Sequence, residues 1–240
     1  MPSQFEKLEA HASHLLDGFL RLRERYAFLD PMLFSEEVAN RRGSGRQARG
    51  FITLRHSLFL SCAQDIAKLA LDKDPRTPSI RNLIESVQVQ STADELRDRF
   101  AVWVLPSIEV ETDPEIIAAL ERIELGEQKA RRLQFDNILT GAVRRWNELT
   151  TAPYINGFLT IRDKVTAHTE VRHVADKYQP IDIKDLGLKW SDVKRAIDEM
   201  QELVEALGML IRNAGFAWDM LDEQLNSASK EFWLPSDAAA

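Results

Sequence analysis

Phe5, Leu8, Ala12, Leu15, Phe19, Leu22, Tyr26 and Leu29 follow one another in alternating steps of three and four. Only a helix with one face against a helical partner has that period. The same alternation returns near the other end, in Val193, Ile197, Met200, Val204, Leu207, Ile211, Ala214, Trp218, Leu221 and Leu225. Between them lie Phe51, Leu54, Leu58, Cys62, Ile66 and Leu69, then a long stretch from Ile116 through Leu120, Ile123, Ala130, Ile138, Ala142 and Trp146 to Leu149. Strand-like alternation never lasts beyond about five residues, and no fixed-period repeat is visible. The expected fold class is all-α, with residues 1–240 forming one helical domain.

Punctuation sets the expected boundaries. Asp30-Pro31 closes the N-terminal helix (about 3–30), because the residue before proline is pushed out of the helical region. Asn40 to Gly50 holds three glycines and reads as a loop. Asp74-Pro75 closes the second helix. Ser79 caps a short helix through Val87, and Thr92 opens another through Val104. Asp113-Pro114 starts the long helix with a cap residue and a proline in its first turn, and Gly126 and Gly141 are places where it could break. Thr151-Ala152-Pro153 resets the chain, and a connector containing Gln179-Pro180 and Leu186-Gly187 comes next. Ser191 then caps a last helix, and the tail 227–240 is polar except for Phe232-Trp233-Leu234, expected to tuck onto the body or onto a partner.

Several function classes can be set aside. No apolar run approaches the roughly 20 residues that span a bilayer, and the first residues lack a secretory pattern; a cytoplasmic protein is expected, with no membrane partner. Cys62 is the single cysteine, so there is no disulfide framework, and its apolar neighbours mark it as a core residue. Neither a zinc-type Cys/His cluster nor an H-E-x-x-H pair occurs, so neither metal nor other cofactor is expected. A net charge of −7 argues against a general nucleic-acid coating protein, since phosphate binding needs clustered Lys and Arg. It leaves room for a local basic groove, for which Arg41, Arg42, Arg46 and Arg49 in the glycine loop are the RNA-binding candidates.

The chemistry concentrates in Arg162-Asp163-Lys164-Val165-Thr166-Ala167-His168. Arginine offers a permanently charged fork for phosphate oxygens, and histidine exchanges a proton near neutral pH. On a regular helix Tyr154, Phe158, Ile161, Val165 and His168 share one stripe, so a histidine packed in the core is an equally direct reading. The spacing alone is permissive, because Arg49 and His56 also satisfy it. Ile155 and Leu159 add a second apolar face to this helix, more than one core is expected to cover, which points to a homodimer.

An arginine, a polar residue, four further residues and a histidine near the end of a helical bundle resemble the HEPN superfamily (higher eukaryotes and prokaryotes nucleotide-binding). "RDKVTAH" before a long helix is similar to its abortive-infection U-type branch, and "SIRNLIESV" adds to the likeness. The resemblance implies a HEPN-like helical bundle with additional helices, often dimeric. It also implies a metal-independent endoribonuclease of phage-defence or toxin–antitoxin type, with an antitoxin or regulatory protein as partner. Arg162, Asp163 and His168 match the functional motif, with Lys164 beside them as an RNA contact. Some relatives carry a modified tyrosine two residues after the histidine; here that position is Glu170, so this mode of control does not carry over. The chemistry is coherent: attack by the 2′-hydroxyl needs a base, an acid and positive charge on the phosphorane, which His168 and Arg162 can supply. Non-catalytic RNA or nucleotide binding, and a plain helical dimerisation module, remain the alternatives.

Overall fold

The computed structural model describes residues 4–105, 112–166, 171–174, 177–180 and 183–235, with side chains described outside 171–184. The first helix, α1, runs Gln4–Phe34 and packs on both α3 (Ala48–Leu71) and α8 (Trp190–Arg212). Its expected stripe lies inside: Leu15, Phe19, Leu22 and Leu29 are essentially without exposed surface, and the stripe continues to Met32. Phe59 and Ile66 of α3, Phe135 of α6 (Pro114–Thr151) and Met200 and Leu203 of α8 fill the same core. Leu54, assigned above to the inner stripe of α3, is exposed instead.

α1 does not stop at Asp30-Pro31. A proline inside a helix removes one N–H and strips the carbonyl four residues earlier of its donor. Here that carbonyl is Ala27's, and the Ser229 hydroxyl of α9 (Trp218–Trp233) donates to it at 2.6 Å. The adjacent Phe28 carbonyl accepts the Trp233 indole N–H at 3.0 Å. With both carbonyls served from outside, the helix passes through its proline.

The other boundaries divide. Ser79 caps α4 (Ile80–Val87), accepting the Asn82 N–H, and Asp113 caps α6 with Pro114 in the first turn. Neither Gly126 nor Gly141 interrupts α6. The helix expected from Thr92 is α5, Gln90–Ala101; Thr92 lies buried within it and accepts a bond from Gln4. The supposed loop 40–50 is largely helical. Arg41 and Arg42 end α2 (Glu36–Arg42), Arg46 sits in a 3-10 turn (Gly45–Gln47), and Arg49 lies in the first turn of α3.

The last stripe is split. α8 opens at Trp190, with the Lys189 N–H on the Asp192 carboxylate, and ends where Asn213 takes a left-handed conformation, φ 50°. α9 then runs on through the supposed polar tail to Trp233. Trp233 is buried beside Phe51, while Phe232 stays exposed against Phe28. The connector before α8 contains a two-stranded antiparallel hairpin, β1 (Val171–Val174) with β2 (Lys177–Pro180), pairing Val171 with Pro180 and Val174 with Lys177. Four-residue strands are too short to show a period. A 3-10 turn, Ile183–Leu186, and Gly187, whose φ of +67° favours glycine, lead into α8. Apart from the hairpin, the described fold is all-α.

Candidate active site

The motif is held by α7 (Ile155–Thr160) and the segment that continues it. Ala152 and Pro153 break α6, and Tyr154 anchors the new start. Its ring is buried under the Arg195 guanidinium at 5.3 Å, and its hydroxyl donates to the Glu199 carboxylate of α8. Burial, more than this contact, pushes the Tyr154 phenol above its ordinary pKa. One turn later Gly157 lies against Leu188. A Cβ at Gly157 would sit 2.7–2.9 Å from three Leu188 side-chain atoms, so the close approach of α7 to the entry of α8 depends on this glycine.

From Ile161 to Thr166 the helix widens into a π turn, packed on α3. The regular stripe expected through the motif therefore holds only as far as Ile161. Ile155, Phe158 and Ile161 are fully buried, but Val165 is partly exposed, because the wider turn carries it off the inner face. The Thr166 hydroxyl reaches back to the carbonyls of Ile161 (3.2 Å) and Arg162 (3.0 Å), serving acceptors that the changed hydrogen-bond pattern disturbs. Such single π turns recur at functional sites. Burial of Ile155, Phe158 and Ile161 in one chain also uses most of the apolar surface thought to require a second copy here.

Arg162 and Asp163 come together on this turn. The Arg162 Nε donates to Asp163 Oδ1 at 2.6 Å; the arginine side chain is 27% exposed and the aspartate 52%. The carboxylate steadies the guanidinium, and the Nη groups lie outside this bond. Asp163 is thus paired with Arg162, which lessens the repulsion an isolated carboxylate would exert on phosphate. Lys164 is partly buried on the same turn. His168 lies outside the described residues, as does Glu170.

The arginine group is a separate feature. Arg41, Arg46 and Arg49 are exposed and Arg42 is partly buried. Arg41 and Arg42 also complement the C-terminal end of the α2 dipole. Arg49 stands about 15 Å along α3 from Phe59 at 1.5 Å per residue, and Phe59 meets the Trp190 ring at 4.9 Å. Arg49 and His56, the second match to the loose spacing, both lie exposed on regular α3 with no π turn between them.

The sequence also hides an aromatic feature beside these elements. Trp190, 44% exposed, stacks edge-on against Phe59, and the Arg55 guanidinium lies 5.8 Å from its ring and 5.9 Å from that of Phe51. An aromatic just before an expected cap, at Lys189-Trp190-Ser191, was the one available signal. Elsewhere, burial holds the Cys62 thiol up to about 12, which suits an inert core residue. Among the described residues no three His, Cys, Asp or Glu side chains converge as metal ligands would, and no helix is long and apolar enough to cross a membrane.

Comparison with curated proteins and with solved structures yields no match. A family model does match, AbiU2 of the HEPN type, over residues 5–232, nearly the whole chain and both sides of the π turn. The chain belongs to the AbiU2 family of HEPN-like abortive-infection proteins.

Proposed function

We propose that this protein is an endoribonuclease that cuts RNA through the RNA's own 2′-hydroxyl, without a metal. The observation that carries the proposal is the π turn bearing a partly exposed Arg162 braced by Asp163, in a chain of a HEPN family. In this reading Arg162 holds the charge that grows on the phosphorane. His168 moves the proton, histidine being the side chain whose reference pKa, about 6.5, lies near neutral. Asp163 keeps the guanidinium aimed, and Lys164 with Arg41, Arg42, Arg46 and Arg49 holds the RNA backbone. A homodimer bringing two motifs into one cleft would supply a histidine for each proton transfer. A second protein, of antitoxin kind, would restrain the activity.

The test is incubation of the purified protein with total cellular RNA, in EDTA, beside His168→Ala and Arg162→Ala. Losing an acid–base group costs on the order of 10²–10⁴ in rate, so His168→Ala should be nearly silent with its helical circular dichroism intact. Fragments should end in a cyclic 2′,3′-phosphate or its hydrolysis product, and DNA should survive. Cleavage that stops in EDTA and returns with magnesium refutes the metal-free route. Full activity of His168→Ala removes that residue from it. RNA binding without any cleavage leaves the binding module in its place.

A further inference from the structure

Arg49, Ile52, His56 and Phe59 of α3 are spaced by three, four and three, so they run in one line along the helix. Arg49 and His56 are exposed, Ile52 is 53% exposed, and Phe59 is buried where it meets Trp190 of α8. Trp190 is the first residue of its helix, a position that asks for no indole, and tryptophan is mostly buried in folded chains. Here 44% of it stays exposed, although Phe59 meets its ring at 4.9 Å and 82° and the Arg55 guanidinium lies 5.8 Å from it. A ring held by its neighbours and still open to solvent is a surface for another planar group.

We propose that Trp190 is a base-stacking platform: one unpaired RNA base lies on the indole, and the phosphates of its strand run along α3 toward Arg49. This rests on the reading that the protein acts on RNA. Charge selects the occupant. From Val38 to Gln64 the chain contains arginines and a histidine but no Asp or Glu, in a protein of net charge −7. Among the described residues no carboxylate pairs with Arg49 or Arg55, whereas Arg23, Arg25, Arg97 and Arg145 each hold one. Asp192, the acid nearest to Trp190 in the sequence, accepts the Lys189 N–H at the start of α8. A cationic line that ends in an exposed indole fits a polyanion with free base faces. A duplex cannot offer one, because its bases already stack on each other.

Length agrees with charge. Over the roughly 15 Å of α3 between Arg49 and Phe59, a mononucleotide reaches only one end of the line, and a strand of several nucleotides is needed to hold both. The arginine beside the ring adds a cation–π contribution to a base stacked there. The platform is also fixed relative to the motif. Leu188, two residues before Trp190, rests against Gly157 of α7, and Arg162 follows that glycine by about one and a half turns.

The probe is a short, fluorescein-labelled single strand of 2′-O-methyl RNA. It lacks the free 2′-hydroxyl and cannot be cut by the route proposed above, so binding is read whether or not the protein is a nuclease. By anisotropy with the full chain, Trp190→Ala should weaken binding about 10-fold or more. The salt slope should not change, because no phosphate contact is lost. Trp190→Phe should keep most of the affinity and Trp190→Leu should not, although both fill space beside Phe59; this pair decides even where Trp190→Ala fails to fold. On an abasic strand, which keeps phosphates and lacks bases, wild type and Trp190→Ala should bind alike. Unchanged affinity of a folded Trp190→Ala protein would overturn the proposal and leave the indole to a protein contact. Equal affinities of the Phe and Leu variants, or the same loss on the abasic strand, would also overturn it. Trp190-dependent binding without cleavage of ordinary RNA would remove the nuclease reading and keep the platform; cleavage without Trp190-dependent binding would do the reverse.

Discussion

Removing the Ser229 hydroxyl should matter only while Pro31 is present. Pro31 supplies no N–H, so the Ala27 carbonyl takes its bond from Ser229, itself only 3% exposed. In the wild type, Ser229→Ala leaves that acceptor unserved inside the α1–α9 contact, at a cost of about 1–3 kcal/mol. Pro31→Ala restores an N–H four residues after Ala27 and removes an interior helix proline, worth up to about 3 kcal/mol by propensity. The carbonyl then has a donor in its own helix. A carbonyl offers two lone pairs, so the hydroxyl keeps its acceptor while becoming dispensable. Ser229→Ala in the Pro31→Ala background should therefore cost under about 1 kcal/mol, a coupling of roughly 1–2 kcal/mol. Urea unfolding of the four proteins, followed by circular dichroism at fixed temperature, measures the cycle. Equal costs in the two backgrounds, within about 0.5 kcal/mol, would refute the claim that the hydroxyl stands in for the missing N–H.

Gly157→Ala should destabilise, because overpacking against Leu188 costs about 1–3 kcal/mol against a helix gain near 1 kcal/mol. With Leu188→Ala already present the same change should stabilise, and a stabilising effect in both backgrounds would dismiss the clash. Cys62, Tyr26 and Tyr154 all keep their protons to higher pH in the folded chain than their ordinary values of 9.0 and 10.0, chiefly through burial. The unfolded chain therefore sheds protons first, and stability should fall as pH rises through 9 to 10, each group adding a slope approaching about 1.4 kcal/mol per pH unit. A flat unfolding free energy from pH 8 to 10.5 would contradict this. Changing Arg41, Arg42, Arg46 and Arg49 to glutamine should weaken RNA affinity and flatten its dependence on salt; an unchanged slope in a filter-binding titration would make them solvated surface only.

The helices were legible wherever one stripe met one core. The alternation from Leu8 to Leu29 places α1 correctly, and Asp113-Pro114 marks the start of α6. Errors arose where the deciding group is remote or the period is blind. Pro31 read as a stop because the hydroxyl that compensates it belongs to a residue 202 positions from Ala27. The stripe from Val193 to Leu225 ran unbroken across Asn213, since a left-handed cap changes direction without changing the spacing of apolar residues. Gly43 ends α2 and Gly45 takes a positive φ, so the glycines mark a turn while the seven residues of α2 before them are too few to show a helical period. Arg162 and Asp163, singled out by their chemistry, are hydrogen-bonded to each other on one turn. The π turn beneath them was not legible, because Ile161 to Thr166 contains no glycine or proline to announce it.

That turn has a genetic consequence. A π turn is an α-helix with one residue too many, so a one-codon deletion, ordinarily ruinous inside a helix, would here return the segment to regular winding. Removing Lys164 or Val165 should leave Phe158 and Ile161 seated and the bundle folded, while rotating the downstream chain relative to Arg162. On the function proposed above, one-residue deletions inside Ile161–Thr166 would then give folded alleles without RNA cleavage, and those inside Ile155–Thr160 unfolded ones.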